Sequence, residues 1–141
     1  MPRLRQVVPQ VAVVVDTSGS MGTSELEAVI AEVRGVLKNI GAEVLVMSCD
    51  ARVHASGKVR DVRQVLPLIK GGGGTDFRPA FDALAKLRQN ERPELVIFAT
   101  DGFGPAPATA PSWCSTLWLL IGRNAVKPAT WGTELRPDLA D

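Results

Sequence analysis

Val11-Ala12-Val13-Val14-Val15, followed at once by Asp16-Thr17-Ser18-Gly19-Ser20, decides how this chain is read. The run has no alternation of polar and apolar positions, and most of it is β-branched, so both faces of the segment expect burial. A strand buried on both faces belongs in the interior of a sheet covered by helices. In open α/β sheets the loop that leaves the carboxyl end of such a strand is where ligands are held. Here that loop carries a carboxylate, Asp16, and two hydroxyls, Ser18 and Ser20. Their spacing of two lets both point the same way from extended backbone.

Outward from this run, Leu26, Val29, Ile30, Val33, Val36, Leu37 and Ile40 recur at helical spacing. Ser24 and Glu27 are set as a capping box at its start, and Gly41 as its stop. Residues 44–47 read as a second strand, with a short extended piece at 52–55, closed by Ser56-Gly57, as its hairpin partner. Val62, Val65, Leu66 and Ile69 predict a short helix disturbed by Pro67. The glycines at 71–74 interrupt the chain, and Asp76 is placed to cap a helix that carries Phe81, Leu84 and Leu87 on one face. Residues 95–99 and 117–121 are the third and fourth buried strands. The alternation predicts an α/β fold: an open, mainly parallel, Rossmann-like sheet with helices on both faces and a short antiparallel edge hairpin. Between Asp101 and Thr116 lie Pro105, Pro107 and Pro111, which predict an irregular connection in place of a crossover helix. Beyond Arg123 only an edge strand near Thr133–Leu135 is expected.

At 141 residues the chain is read as one domain over 1–141, with a core at about 8–136 and flexible ends at 1–7 and 137–141. Its 45% hydrophobic and 22% charged residues are ordinary for a globular protein. A net charge of +1 with dispersed basic residues gives no electrostatic case for nucleic acid or for an acidic membrane surface. The apolar runs are too short to span a bilayer, and the first residues lack the apolar stretch of a signal peptide. The expectation is a cytoplasmic protein. Cys49 and Cys114 are expected as reduced, partly buried thiols, their pairing left open by sequence, and no Cys-x-x-Cys spacing suggests zinc.

Three segments converge on one chemistry. Asp16, Ser18 and Ser20 follow the first strand, and Asp101 follows the third. Thr75, in Gly71-Gly72-Gly73-Gly74-Thr75-Asp76, precedes the helix leading into that third strand. All three segments are expected on the same edge of the sheet. Together they offer two carboxylates and three hydroxyls, a hard-oxygen set suited to Mg²⁺, with Mn²⁺ or Ca²⁺ as the other candidates. Asp50 is expected as a turn residue on the same rim. His54 is expected as an ordinary hairpin residue, since nothing marks a nucleophile beside it. Trp118 and Trp131 are expected in packing, and Trp113 is considered as an exposed docking residue near the rim.

Val13-Val14-Val15-Asp16-Thr17-Ser18-Gly19-Ser20-Met21 resembles the first motif, Asp-x-Ser-x-Ser, of von Willebrand factor type A (VWA) domains. Thr75 and Asp101 occupy the places of that family's later Thr and Asp. The resemblance implies a metal-ion-dependent adhesion site in which Ser18, Ser20 and Thr75 are direct hydroxyl ligands and Asp16 and Asp101 bind directly or through water. The Gly-Gly-Gly-Thr-Asp-Phe-x-Pro stretch and the proline-rich segment after Asp101 are similar to the VWA-like domain of bacterial metallopeptidase-like proteins. That likeness implies work beside a MoxR-type AAA+ ATPase or a separately encoded peptidase-like protein. Two features of relatives are missing: there is no His-Glu-x-x-His, and no long amphipathic C-terminal helix to carry an integrin-type affinity switch.

The leading expectation is therefore a non-enzymatic, metal-dependent protein-interaction module whose ion is completed by a partner's Asp or Glu. The alternative is a Mg²⁺-dependent phosphoester hydrolase with Asp16 as nucleophile. Phosphatases of the haloacid-dehalogenase type need a second Asp two positions on, where this chain has Ser18. A third reading is a structural domain whose site holds no metal.

Overall fold

The apolar run forms the middle of the sheet. The computed structural model describes residues 10–137, and there β1 (Val11–Asp16) is buried at every position. It lies between β2 (Val44–Cys49) and β4 (Leu95–Thr100), parallel to both. Beyond β2, the strand β3 (Val53–Val59) pairs antiparallel at one edge; beyond β4, β5 (Ser115–Leu120) and β6 (Thr133–Leu135) continue in parallel to the other. The order β3-β2-β1-β4-β5-β6 is the expected open, mainly parallel sheet with one antiparallel edge strand. The flexible ends expected at 1–7 and 137–141 lie outside the described residues, Pro137 excepted.

Because successive side chains of a strand alternate between faces, β1 divides into two cores. Val11, Val13 and Val15 meet Val29, Val33 and Leu37 of α1 (Thr23–Ile40). Ala12 and Val14 join the opposite core with Ala80, Phe81 and Leu84 of α2 (Arg78–Ala85). That second core is aromatic. Phe77 meets Phe98 edge-on at 4.9 Å, Phe81 stacks on Phe98 at 5.5 Å, and Trp118 lies 5.2 Å from Phe98. Trp118 is fully buried, and its indole N–H donates to the carbonyl of Trp131 at 3.1 Å, so the ring's polar edge is satisfied. Truncating it to Ala should cost about 3–5 kcal/mol.

Local signals held in some places and were overridden in others. Gly41 ends α1 in the left-handed conformation, φ 66°, with its N–H on the Leu37 carbonyl. The Ser24–Glu27 capping box does not form. The helix starts at Thr23 after an extended Gly22, and the Ser24 hydroxyl turns to Glu25 at 2.8 Å. Ser56 and Gly57 do not close the hairpin: they sit inside β3 opposite Met47 and Val46. Strand pairing prevails over turn chemistry there, and a Cβ on Gly57 would press against Leu68 at 3.4 Å. The expected short helix is two 3₁₀ turns, Val62–Gln64 and Leu66–Leu68, the second containing Pro67. Asp76 caps the start of α2 as expected: ahead of Phe77, whose backbone is already helical, its carboxylate accepts the Arg78 N–H at 3.0 Å and also grips the Arg78 guanidinium at 2.8 Å. Leu87 lies past the end of α2 yet reaches the same core.

The segment between β4 and β5 is irregular, as its prolines dictate. Among the described residues no helix is long and apolar enough to cross a membrane. Cys49 and Cys114 are both free thiols, and Cys49 is fully buried.

Candidate metal centre

Leaving β1, the chain turns through α1 to β2 on one side; it returns through α2 to β4 on the other. The strand order therefore reverses between β1 and β4, and the two carboxylates emerge at that crevice, Asp16 ending β1 and Asp101 directly after β4. Asp16 is fully buried. Its Oδ1 accepts the Ser18 N–H at 2.9 Å and its Oδ2 accepts the Thr100 hydroxyl at 2.5 Å. The Thr100 Oγ in turn accepts the Gly102 N–H at 2.9 Å. Burial raises the Asp16 carboxyl above its ordinary value of 3.8; the Ser18 and Thr100 bonds pull it back, and the charge of Asp101 pushes it up again. The group is fixed in orientation by these bonds while burial disfavours its charge.

Ser18 and Ser20 project their hydroxyls to within 3.1 Å of each other, the first buried and the second open to solvent. Neighbouring ligands of a regular octahedron with bonds of about 2.0–2.1 Å stand about 2.9 Å apart. The two hydroxyls are hydrogen-bonded to each other at a separation close to that of adjacent Mg²⁺ ligands, and both are hard oxygens. Asp16 and Asp101, close enough for the charge of one to raise the carboxyl of the other, would together neutralise a divalent ion. The residues fit the group.

Thr75 is delivered by the glycine run. From the 3₁₀ turns on the α1 face the chain crosses the rim to reach α2 on the other, and it passes directly over the motif loop. Thr17 Oγ donates to the Lys70 carbonyl at 2.6 Å, Gly72 N–H to the Thr17 carbonyl at 2.7 Å, and Gly19 N–H to the Gly73 carbonyl at 3.0 Å. This approach requires the absence of a side chain. Gly71 has φ 152°, and a Cβ there would lie 2.2 Å from Thr17 Oγ. Thr75 then stands half-buried against Gly104, on the turn that follows Asp101. Asp101 itself is 8% exposed. Its Oδ1 accepts the Phe103 N–H at 3.3 Å, and its carbonyl accepts the Val126 N–H at 3.0 Å.

Two residues that hold this arrangement were not singled out for it by sequence. Thr100 orients Asp16, as described. Asp50 was expected as a turn residue, and it does form the turn, accepting the Arg52 N–H at 3.1 Å. It also clamps the crossing segment on both sides of Thr75: Oδ2 accepts the Gly73 N–H at 2.9 Å, and its carbonyl accepts the Asp76 N–H at 3.0 Å. His54 Nε2 braces Oδ1 at 2.7 Å. Burial alone would raise the Asp50 carboxyl, but Gly73, His54 and Arg52 outweigh it and hold it down at about 2. The signal available in sequence was only its position at the end of β2.

Trp113 is not at this rim. β4 and β5 run parallel with Leu95 opposite Ser115, so Trp113, two residues before β5, lies at the amino end of the sheet, where Arg92 sits 5.8 Å from its ring. Among the described residues no group of three or more His, Cys, Asp or Glu gathers as a metal site. The candidate set has two carboxylates, and its other donors are hydroxyls.

Comparison with known proteins places these residues in a family. The chain is 34% identical over 102 residues to a protein of Thermotoga maritima described as uncharacterized; the match takes in 72% of this chain and 25% of the relative. The chain thus aligns with about a quarter of that protein's length. Residues 11–137, which span all six strands and every candidate ligand, match the family described as VWA-like domain (DUF2201). With an open α/β sheet and its carboxyl-end crevice built as above, this chain belongs to the VWA-like domain family (DUF2201).

Proposed function

We propose that the crevice is a metal-ion-dependent adhesion site and that the protein is a non-enzymatic protein-interaction module. Ser18, Ser20 and Thr75 supply hydroxyl oxygens to Mg²⁺, and Asp16 and Asp101 bind it directly or through water. An Asp or Glu of a partner protein completes the set. The observation that carries this reading is the Ser18–Ser20 hydroxyl pair, 3.1 Å apart, on the loop that leaves the fully buried carboxylate of Asp16. A bound ion would supply one open position, and because hydroxyls are weak neutral donors, a carboxylate fills that position better than water. Mn²⁺ and Ca²⁺ suit the same oxygens.

The geometry of Asp16 favours this reading over phosphoester hydrolysis. Both of its oxygens already accept hydrogen bonds, from Ser18 and Thr100, which suits a ligand or a holder of ligand waters more than an attacking nucleophile. The general acid expected two positions on is Ser18.

By resemblance to VWA-like domains of bacterial metallopeptidase-like proteins, the partner would be a MoxR-type AAA+ ATPase or a separately encoded peptidase-like protein, in the cytoplasm. The test is substitution of the partner's acidic residues by Lys, one at a time, with binding measured in Mg²⁺ and in chelator. One substitution should abolish Mg²⁺-dependent binding. If every single substitution leaves affinity unchanged, the partner's carboxylate is not the missing ligand.

A further inference from the structure

Phe103 is an anomaly for a residue so close to a buried site. It is 54% exposed, and Val126 beside it is 44% exposed. Both are tied to Asp101 through their backbones: Phe103 N–H to its carboxylate at 3.3 Å, Val126 N–H to its carbonyl at 3.0 Å. Neither is on a loosely held loop. The Gly104 N–H donates to the Gly102 carbonyl at 3.1 Å, so Phe103 is the apex of a three-residue turn. The flanking glycines are wedged. A Cβ on Gly102, at φ 88°, would lie 1.6 Å from the Val126 carbonyl oxygen, and one on Gly104 would lie 2.5 Å from Thr75 Cγ2. The backbone on either side of Phe103 is thus pressed against the Val126 segment and Thr75, and the Phe103 side chain is left to solvent. The other exposed large apolar side chains among the described residues, Leu66 and Leu135, belong to a 3₁₀ turn and to the edge strand.

We propose that Phe103 and Val126 form an apolar subsite of the metal rim, and that the partner is a protein segment whose Asp or Glu is flanked, within two positions, by a large apolar side chain. This rests on the reading of the rim as a metal site. A rigid aromatic presented at low entropic cost next to a charge-directed contact is the usual anchor of a protein interface. The charge requirement comes from the ion, and it is reinforced by the exposed cationic side chains of Arg52 and Lys70, on the two segments that border the motif loop. An acidic residue with an apolar neighbour satisfies both halves at once; a nucleic acid or an anionic lipid headgroup offers the charge without a side chain at fixed spacing.

The test is a displayed library of short peptides with a fixed central Glu and randomised flanks, selected on the whole protein in Mg²⁺ and eluted with EDTA. Leu, Ile, Met, Phe or Trp should be enriched within two positions of the Glu. A synthetic peptide from that pool should bind Phe103→Ser and Val126→Ser about tenfold more weakly, the loss expected for an interface anchor, with its Mg²⁺ requirement intact. Both side chains are exposed and their backbone bonds survive the substitutions, so folding is preserved. Mg²⁺-dependent pools without apolar enrichment, or unchanged affinity in both variants, would overturn the subsite while leaving the metal reading in place. Pools that bind equally in EDTA and to Asp16→Ala would remove the metal reading and the subsite with it, as would a library yielding no Mg²⁺-dependent binder.

Discussion

Asp50→Asn removes one charge and almost no volume, and its consequences can be worked through. The carboxylate is 5% exposed and receives N–H groups from Gly73 at 2.9 Å and Arg52 at 3.1 Å, with His54 Nε2 at 2.7 Å. An amide offers one acceptor and turns its NH₂ toward a second donor, so at least one bond is lost and one donor pair is opposed. Hydrogen bonds to charged groups are worth about 1.5–3 kcal/mol each; partial rescue by water at the exposed Gly73 and Arg52 lowers the sum, giving about 2–3 kcal/mol of destabilisation. Because Gly73 and Asp76 bracket Thr75, freeing the crossing should also weaken Mg²⁺ binding. Acid sensitivity provides an independent check. The Asp50 pKa is held at about 2, below its ordinary 3.8, so its stabilisation is full above the unfolded value near 4 and is lost as pH falls towards 2. Urea unfolding of wild type should therefore show stability declining between about pH 4 and pH 2, with a shallower decline in Asp50→Asn. Wild-type stability and Mg²⁺ affinity in the variant would refute the assignment of Asp50 as the clamp.

Three further outcomes are expected. Thr100→Val deletes the bond to Asp16 Oδ2 and orphans the Gly102 N–H; it should cost about 1–3 kcal/mol in urea unfolding. It should also move the pH at which Mg²⁺ binding is half lost upward, because the Asp16 carboxyl is already raised by burial and Thr100 is one of the bonds restraining it. Gly104→Ala places a methyl 2.5 Å from Thr75 Cγ2 and should lower Mg²⁺ affinity with a stability loss of about 1–3 kcal/mol; calorimetry reads the first, urea the second. Cys49, with its thiol pushed up by burial to about 12, should resist alkylation in the native protein at neutral pH and react on unfolding, as mass spectrometry would show.

How far the chain could be read ahead of its structure depended on the range of the interaction. The valine run, the irregular proline segment, the Gly41 stop and the edge strand at Thr133–Leu135 are local matters of burial and backbone preference, and they appear where sequence puts them. The placing of Asp16 and Asp101 at the carboxyl ends of two adjacent strands followed from the alternation of elements. The misreadings were local signals that lost to pairing or packing. Ser56-Gly57 has turn chemistry, but β2 offers it a strand partner; the Trp113 segment looks like a rim loop until the register of β5 puts it at the amino end. Asp50 and Thr100 were out of reach for another reason. Thr100 meets Asp16 across 84 residues and Asp50 meets Gly73 across 23, and spacing carries no record of such bonds. A polar residue ending an otherwise apolar buried strand was the one available hint at Thr100.

Calorimetric titration of Mg²⁺ into chelator-stripped protein, alongside an Asp16→Ala, Ser18→Ala double variant, tests the central claim most directly. Saturable one-site binding in the wild type and none in the variant is the predicted result. Absence of binding in the wild type, or equal binding in both, would contradict a metal site at the carboxyl-end crevice.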